Sequence, residues 1–293
     1  MSHGIQQKPF CAARPAAASG LALTDETFAQ LRTLIYEQSG IHFADSKKYI
    51  LEGRLQTRLR ERRCGSFEDY YHLLKYDAWR DKELTELFNL ITTNETFFFR
   101  DQPQLQAFTQ TIVPTVLQAN RSEMRLRIWS AACSTGDEPY TLAMLLLEMP
   151  ALAKWTIEIV GTDISETALA QAREAVYGSY AVRNVPPPLL RKYFAAVDGR
   201  YALAEQVKRM VKFLNLNLYD AARIKLIRGM DAIFCRNCLI YFDDKAKERI
   251  VANLADALKP QGYLVIGFSE SLHQAAPRLK RIHASRSVIY QKA

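Results

Sequence analysis

The chain has 293 residues, 48% hydrophobic and 24% charged, with 12 Gly and 11 Pro, a composition that supports a sizeable core in one large or two medium domains. It excludes a disordered chain, a collagen-like repeat and a disulfide-stapled miniprotein, and no run of 18 apolar residues free of charge is present to cross a bilayer. The formal charge of +8 asks for an acidic partner, for which nucleic acid, an anionic membrane or an acidic protein surface all qualify.

Residues 1–20 mix Ala, Pro, Gly and polar residues without the apolar core of a secretory signal, and are expected to form a flexible tail. Thr24-Asp25-Glu26 opens the first helical pattern, with Phe28, Leu31, Leu34 and Ile35 at helical spacing and Gly40 as its stop. A second helix starts near Asp45 or Ser46, with Ile50, Leu51, Leu55 and Leu59 in one stripe. Ser66 starts a third through Tyr70, Tyr71, Leu73 and Leu74, and residues 80–92 form a fourth with Leu84, Leu87, Phe88 and Ile91 inward. Residues 21–92 are therefore expected to form an all-helical domain, followed by an interdomain segment and linking helix over 93–123.

From residue 124 the pattern changes. Short β-branched runs at 126–130, 157–162, 211–216, 231–235 and 263–268 alternate with helical stretches at 137–148, 165–175 and 245–258. That alternation predicts an α/β domain over 124–293, a mainly parallel sheet covered on both faces. Two last strands, near Ile282 and over Val288–Tyr290, are close enough to pair as an antiparallel hairpin at one end. Residues 177–210 break the alternation with Pro186-Pro187-Pro188, a short helix around Leu189–Tyr193 and a turn at Asp198-Gly199, and are expected to be an insertion with a small antiparallel element. The cysteines are five and odd in number (Cys11, Cys64, Cys133, Cys235, Cys238), which fits a reducing cytoplasm.

Several segments carry chemistry. In Ile128-Trp-Ser-Ala-Ala-Cys-Ser-Thr-Gly136-Asp-Glu-Pro139, small residues follow the first strand, where a ligand would approach the backbone closely. A single Gly and no following Lys argue against a dinucleotide fingerprint or a triphosphate loop; a tight turn with no ligand is the alternative. Asp163 ends the second strand 27 residues after Gly136, placed either to accept hydrogen bonds from ribose hydroxyls or to cap the next helix, as Ser165 also could. Phe234-Cys-Arg236-Asn237, followed by Tyr241-Phe242, ends the fourth strand at the same edge; the alternative is a surface Arg with a turn Asn. Cys235-x-x-Cys238 has no second Cys pair, and His273 and His283 are too isolated to complete a zinc site, so no metal is expected. In Thr93-Asn94-Glu95-Thr96-Phe97-Phe98-Phe99-Arg100 the phenylalanines suit core packing, while Asn94, Thr96 and Arg100 could face a cleft. Residues 47–63 carry seven basic against two acidic side chains, either a solvated face or a docking surface, with Arg54, Arg58 and Arg62 in one helical row and Arg63 beside it.

Taken together, TTNETFFFR (92–100), WSAACSTGDEPYTLA (129–143), GTDIS (161–165), LNLNL (214–218) and FCRNCLIYF (234–242) resemble the CheR family, the chemoreceptor glutamate O-methyltransferases of bacterial chemotaxis. The resemblance runs from about residue 21 to the end. It implies an N-terminal helical domain and a Rossmann-like class I methyltransferase domain that binds S-adenosylmethionine, with a small β-subdomain inserted over 177–210. It further implies cofactor contacts from Asn94, Thr96, Arg100, Glu138, Asp163, Asn217, Leu218, Arg236 and Asn237, with Arg100 and Tyr241 nearest the transferred methyl. The substrate would be glutamates on the acidic cytoplasmic helices of a chemoreceptor, met by Arg54, Arg58, Arg62 and Arg63. Segment 195–204 is short with a single Gly199, so direct docking is expected over capture of a receptor tether peptide. The enzyme is expected to act as a monomer in the cytoplasm, without nucleic acid or membrane insertion. The competing readings are a methyltransferase of another substrate and a non-catalytic cofactor-sensing module. Base methylation would favour an Asn-Pro-Pro-Tyr-type motif where this chain has Arg236-Asn-Cys-Leu-Ile-Tyr.

Overall fold

A computed structural model describes residues 21–272 and 278–293. The tail expected over 1–20, Cys11 and His273 lie outside the described residues. The chain divides into two compact units, residues 1–92 and 93–293.

The first unit is helical. Helix α1 (Asp25–Ser39) is capped by Thr24, whose side chain accepts from the Thr27 amide, and carries Asp25 and Glu26 in its first turn, where acidic side chains complement the helix dipole. Gly40 ends it in the left-handed conformation at φ 73°. A short 3₁₀ turn (Asp45–Lys47) leads into α2 (Lys48–Arg62), then come α3 (Phe67–Tyr76), capped by Ser66, and α4 (Arg80–Ile91). Phe28, Leu31 and Ile35 of α1 are buried, as are Leu51, Leu55 and Leu59 of α2 and Leu84, Leu87 and Ile91 of α4, the stripes read from spacing.

One charge sits inside this unit. Glu83 of α4 is 3% exposed and receives Arg58 from two sides, Nε at 2.7 Å and Nη2 at 2.7 Å. Tyr70 donates to it at 2.9 Å, and Arg62 Nε lies 3.2 Å away. The desolvated carboxylate is thus held by a bidentate guanidinium, a second cation and a phenol. Hydrogen bonding to Glu83 drives the Arg58 pKa further above its already high ordinary value, and burial together with the Glu83 charge pushes the Tyr70 phenol up.

The second unit is an α/β domain. Its strands in chain order are β1 (Arg125–Ala131), β2 (Thr156–Asp163), β3 (Val176–Tyr177), β4 (Phe194–Val197), β5 (Arg200–Leu203), β6 (Val211–Asn215), β7 (Met230–Cys235), β8 (Leu258–Ile266), β9 (Leu279–Ala284) and β10 (Ser287–Lys292). Seven form one sheet in the order β6-β2-β1-β7-β8-β10-β9, parallel except for β10. Strand order departs in opposite directions from β1, so a topological switch point lies between β1 and β7, where open α/β sheets bind ligands beyond their carboxyl ends. The insertion is a separate antiparallel sheet, β3-β5-β4, whose β4–β5 turn is made by Asp198 and Gly199 at φ 47° and 73°.

The helices of this unit are α5 (Gln102–Ala107), α6 (Val113–Ala119), α7 (Asp137–Leu147), α8 (Glu166–Glu174), α9 (Ser179–Val182), α10 (Pro187–Tyr193), α11 (Glu205–Lys208), α12 (Ala221–Ile224) and α13 (Asp244–Ala257). A widened π turn over Phe108–Ile112 joins α5 to α6. The last strand of the parallel set differs from the sequence reading. It begins at Leu258 instead of Tyr263 and carries an irregularity in which Met230 pairs with Leu258 but Ala232 with Tyr263. Gln261 at φ 62° and Gly262 form that bulge, and a Cβ on Gly262 would lie 2.9 Å from the Lys259 carbonyl oxygen.

Replacing Glu83 by Ala strands two guanidinium groups and a phenol. The expected cost is about 3–5 kcal/mol of unfolding free energy, the range for breaking a buried pair. Denaturant unfolding followed by helical circular dichroism measures it; a loss below about 1 kcal/mol would make the cluster a surface pair in energetic terms.

Candidate active site

The turn from β1 into α7 is built from backbone conformations that few side chains adopt. Ala132, Ser134 and Gly136 have φ of 63°, 50° and 88°, so every second residue is left-handed. At Gly136 a Cβ would sit 2.9 Å from the Ala172 Cβ, which makes glycine the fitting residue both for conformation and for packing against α8. The irregular turn is held by Asp163 at the end of β2. Its Oδ2 accepts from the Ser134 amide at 2.8 Å and its Oδ1 from the Ser165 amide at 2.9 Å. Ser165, not Asp163, caps α8, accepting from the Ala168 amide at 3.2 Å. Asp163 is 6% exposed, and burial raises its pKa against the pull of the Ser165, Ser134 and Ile164 amides. Each carboxylate oxygen keeps a second acceptor position for a ligand hydroxyl.

On the next strand, Asn215 at the end of β6 donates to the Ile164 carbonyl at 2.9 Å, and the Leu216 amide bonds the Asp163 carbonyl at 2.9 Å. Asn217 follows, its Oδ1 accepting from the Tyr219 amide at 2.9 Å, and Leu218 is buried beside it. Asp163, Asn217 and Leu218 are thereby gathered at adjacent strand ends.

Arg236, just past β7, is 3% exposed and uses all three guanidinium nitrogens. Nε donates to Gln104 of α5, Nη1 to Glu138 of α7 at 3.0 Å, and Nη2 to Asp101 at 2.7 Å and the Arg100 carbonyl at 2.8 Å. Glu138 takes a further bond from Ser130 of β1 at 2.6 Å, and Gln104 donates to the Ile266 carbonyl of β8. The reading of Arg236 as a surface residue is excluded: a guanidinium this deep, bonded through every nitrogen, ties together α5, α7 and the Arg100-Asp101 segment. Gln104 and Asp101, which bond Arg236, and Ser130, which bonds Glu138, were not singled out from the sequence, since nothing in their local pattern marks them for these roles.

Residues 93–100 belong to the second unit. The Phe98 amide bonds the Ala181 carbonyl at 3.0 Å, and its ring packs edge-on against Tyr177 and Phe194 at 4.7 and 5.2 Å, tying the segment to the inserted subdomain. Phe99 is buried with φ 56°, its amide donating to Thr141 at 3.1 Å. The Arg183 guanidinium lies 3.6 Å from the ring centres of both Phe97 and Tyr180, whose planes meet at 76°. Asn94 meets the β1–α7 turn, its carbonyl accepting from the Ser134 hydroxyl at 3.2 Å. Thr96 and Arg100 are half-buried; Arg100 donates to the Glu95 carbonyl at 3.2 Å and sits 5.5 Å over the Phe97 ring. Asn237 at φ 56° and half-buried Tyr241 lie on the loop after β7.

The four sequence-expected arginines of α2 lie in the other unit. Arg54 donates to the Ile91 carbonyl, Arg58 and Arg62 face Glu83, and only Arg63, beyond the helix end, is exposed. They form the expected row, but three of them are tied down within the helical domain. The Cys235-x-x-Cys238 pair places two free thiols next to one another; the Cys238 sulfur and complete burial hold the Cys235 thiol well above its ordinary range. Among the described residues no cluster of three or more His, Cys, Asp or Glu is placed to hold a metal ion.

A parallel sheet with a switch point, a carboxylate at the end of the second strand and a small-residue turn after the first define a class I S-adenosylmethionine-dependent methyltransferase. Residues 26–92 match the family model described as CheR methyltransferase, all-alpha domain, and residues 94–288 match CheR methyltransferase, SAM binding domain. The chain belongs to the CheR methyltransferase family. It is 36% identical over 254 residues to chemotaxis protein methyltransferase 2 of Vibrio cholerae, covering 86% of this chain and 88% of that one. It is 34% identical over 255 residues to the chemotaxis protein methyltransferase of Borreliella burgdorferi, covering 85% and 89%. S-adenosylmethionine is therefore its cofactor, and the donor set fits it: a carboxylate for ribose hydroxyls, a second near the β1 end for an ammonium, and an amide with an apolar neighbour for a purine.

Beside this site Asp137 is fully buried at the start of α7. Thr135 donates to its Oδ2 at 2.6 Å, while Oδ1 has no partner, and burial pushes its pKa from 3.8 to about 6. Between about pH 4 and 6 the folded chain holds a proton that the unfolded chain has released, so this group lowers stability as pH rises through that window. Asp137→Asn should gain on wild type by roughly 2 kcal/mol from pH 4 to pH 7, at about 1.36 kcal/mol per pKa unit and with the unfolded carboxyl already about half ionised at pH 4. Parallel denaturation curves at the two pH values read the difference; a constant offset would remove the effect.

Proposed function

We propose that this protein transfers the methyl group of S-adenosylmethionine to glutamate side chains on the cytoplasmic helices of a chemoreceptor, forming glutamate methyl esters. The observation that carries the reading is that both domains, in order, match one methyltransferase family whose curated relatives are named for chemotaxis. When bound, the cofactor supplies a methyl group activated by a positively charged sulfur. The protein's part is economical. A glutamate is already ionised at neutral pH, with an ordinary pKa of about 4.3, so no general base is required. What remains is alignment and exclusion of water, and orientation alone contributes about 7–11 kcal/mol to such transfers.

In this reading Asp163 receives the ribose hydroxyls, Asn217 and Leu218 flank the adenine, and Glu138 takes the ammonium of the methionine end. Asn94, Thr96 and Asn237 close around the cofactor, while Arg236, engaged by protein partners through all three nitrogens, contributes by holding Glu138 and the Arg100 backbone in place. Arg100 and Tyr241 border the reacting methyl. The receptor is met by the basic α2 face. Arg54, Arg58 and Arg62 are held by partners of their own, so exposed Arg63 and Arg60 are the residues free to meet an acidic helix.

Incubation with radiolabelled S-adenosylmethionine and receptor cytoplasmic domains should yield a base-labile methyl ester on glutamate; label on nucleic acid or a small molecule instead would overturn the reading. Arg100→Ala should lower turnover at least tenfold, since about 1.4 kcal/mol of lost transition-state contact is one decade, with an unchanged thermal midpoint of the apo-protein. Activity within a factor of two of wild type would remove Arg100 from the site.

Arg60→Glu with Arg63→Glu should raise the KM for receptor roughly tenfold and leave the affinity for S-adenosylhomocysteine unchanged, and wild-type activity should fall with salt because the screening length is about 8 Å at physiological ionic strength. Equal loss of receptor and cofactor affinity would indicate misfolding, and loss of neither would make this face merely solvated.

A further inference from the structure

Glu270 lies beyond β8, outside every motif recognised in the sequence, and is half-buried without a cationic partner among its hydrogen bonds. Its carboxylate instead collects backbone amides. Oε2 accepts from Asn237 at 3.0 Å and Gly267 at 2.6 Å, and Oε1 accepts from Ile240 at 3.2 Å. These amides come from two loops: Asn237 and Ile240 follow β7, and Gly267 follows β8. Room for the carboxylate is provided by Gly267, where a Cβ would lie 2.7 Å from Oε2 and 2.8 Å from the Asn237 amide nitrogen. The Glu270 amide closes the turn by bonding the Gly267 carbonyl at 2.9 Å. The arrangement is an internal anion in a cradle of backbone N–H groups, of the kind that binds external anions elsewhere. Burial raises the Glu270 pKa while the surrounding amides pull it back.

We propose that Glu270 is the positioning residue of the loop after β7, holding Asn237 for the cofactor and Tyr241 for the methyl through separate oxygens of one carboxylate. The inference rests on the methyltransferase reading above. Charge-assisted bonds to backbone amides are short and directional, so they fix a loop better than packing alone. Asn237 adopts φ 56°, a conformation that persists when its surroundings hold it. Oε2 serves the Asn237 end and Oε1 the Ile240 end, next to Tyr241. The two ends are therefore separable by chemistry. In Glu270→Gln the amide oxygen keeps the side with two donors, Asn237 and Gly267. The NH₂ group then faces the Ile240 amide, donor against donor, and releases the Tyr241 side. In Glu270→Ala both sides are released.

Three measurements test this. Calorimetric titration with S-adenosylhomocysteine should show Glu270→Gln within about threefold of wild type and Glu270→Ala at least tenfold weaker, a decade being about 1.4 kcal/mol. Turnover should fall at least tenfold in both, because a displacement of about 1 Å can cost about 10²-fold. Amide hydrogen exchange should show Ile240 deprotected with Asn237 and Gly267 still protected in Glu270→Gln, and Asn237, Ile240 and Gly267 all deprotected in Glu270→Ala, with distant amides of β1 unchanged. Exchange and cofactor titration need no protein substrate, so they stand even if receptor glutamates prove not to be the acceptor. Equal exchange at all three amides in both variants and wild type would overturn the proposal, as would full turnover in Glu270→Gln, or loss of protection throughout β1, which would make Glu270 a general stability element.

Discussion

A guanidinium removed from water must have its donors satisfied, and in this protein the methyltransferase domain is arranged around doing so for Arg236. Five acceptor positions converge on or beside it: Gln104, Glu138, Asp101, the Arg100 carbonyl and, through Gln104, the Ile266 strand end. None of these is close to Arg236 in sequence, the partners on the 100–104 segment being more than 130 residues away. Each lies at the carboxyl edge of the sheet, where the switch point creates a crevice. An unpaired buried charge would cost several kcal/mol, so the crevice edge and the segment carrying Arg100 are held in one geometry by electrostatics as well as by packing.

The same device recurs at smaller scale. Asp163 joins the turn after β1 to the start of α8 through two backbone amides, Glu270 joins the loops after β7 and β8, and Glu83 joins three side chains of the helical domain. For Asp163 and Glu270 a carboxylate bonded on both oxygens bridges segments whose own backbones are irregular, whereas Glu83 ties together side chains of three regular helices. Irregular backbone leaves N–H groups without a ladder, and a carboxylate is the side chain that accepts several at once. The positive-φ residues Ala132, Ser134, Phe99, Asp101 and Asn237 cluster around these bridges, consistent with a site whose strain is offset by charge-assisted bonding.

The aromatic segment illustrates how a core and a site share residues. Phe98 and Phe99 are buried and pin residues 93–100 to the inserted sheet and to α7, while Asn94, Thr96 and Arg100 between and beside them stay half-buried. Anchoring by this adjacent pair lets polar neighbours be presented from a backbone held on two sides. On α2 the balance falls the other way. Its basic residues form the expected row, yet Arg58 and Arg62 turn toward Glu83, and Arg54 toward the end of α4. A surplus of positive charge in sequence is therefore not the same as charge available to a partner.

Local grammar carried much of this protein. Helix starts at Thr24 and Ser66, the Gly40 stop, the alternation of strands and helices and the antiparallel final pair follow from capping chemistry and periodicity, because those interactions span only a few residues. The motif residues at strand ends were legible for the same reason, as each follows a short apolar run. The strand order, the bulge at Gln261-Gly262 and the commitments of Arg58, Arg236 and Glu270 were decided only by tertiary structure. A charged side chain's partner lies wherever the fold brings an acceptor, and desolvation, which decides whether that partner is obligatory, does not exist until the chain has closed around it.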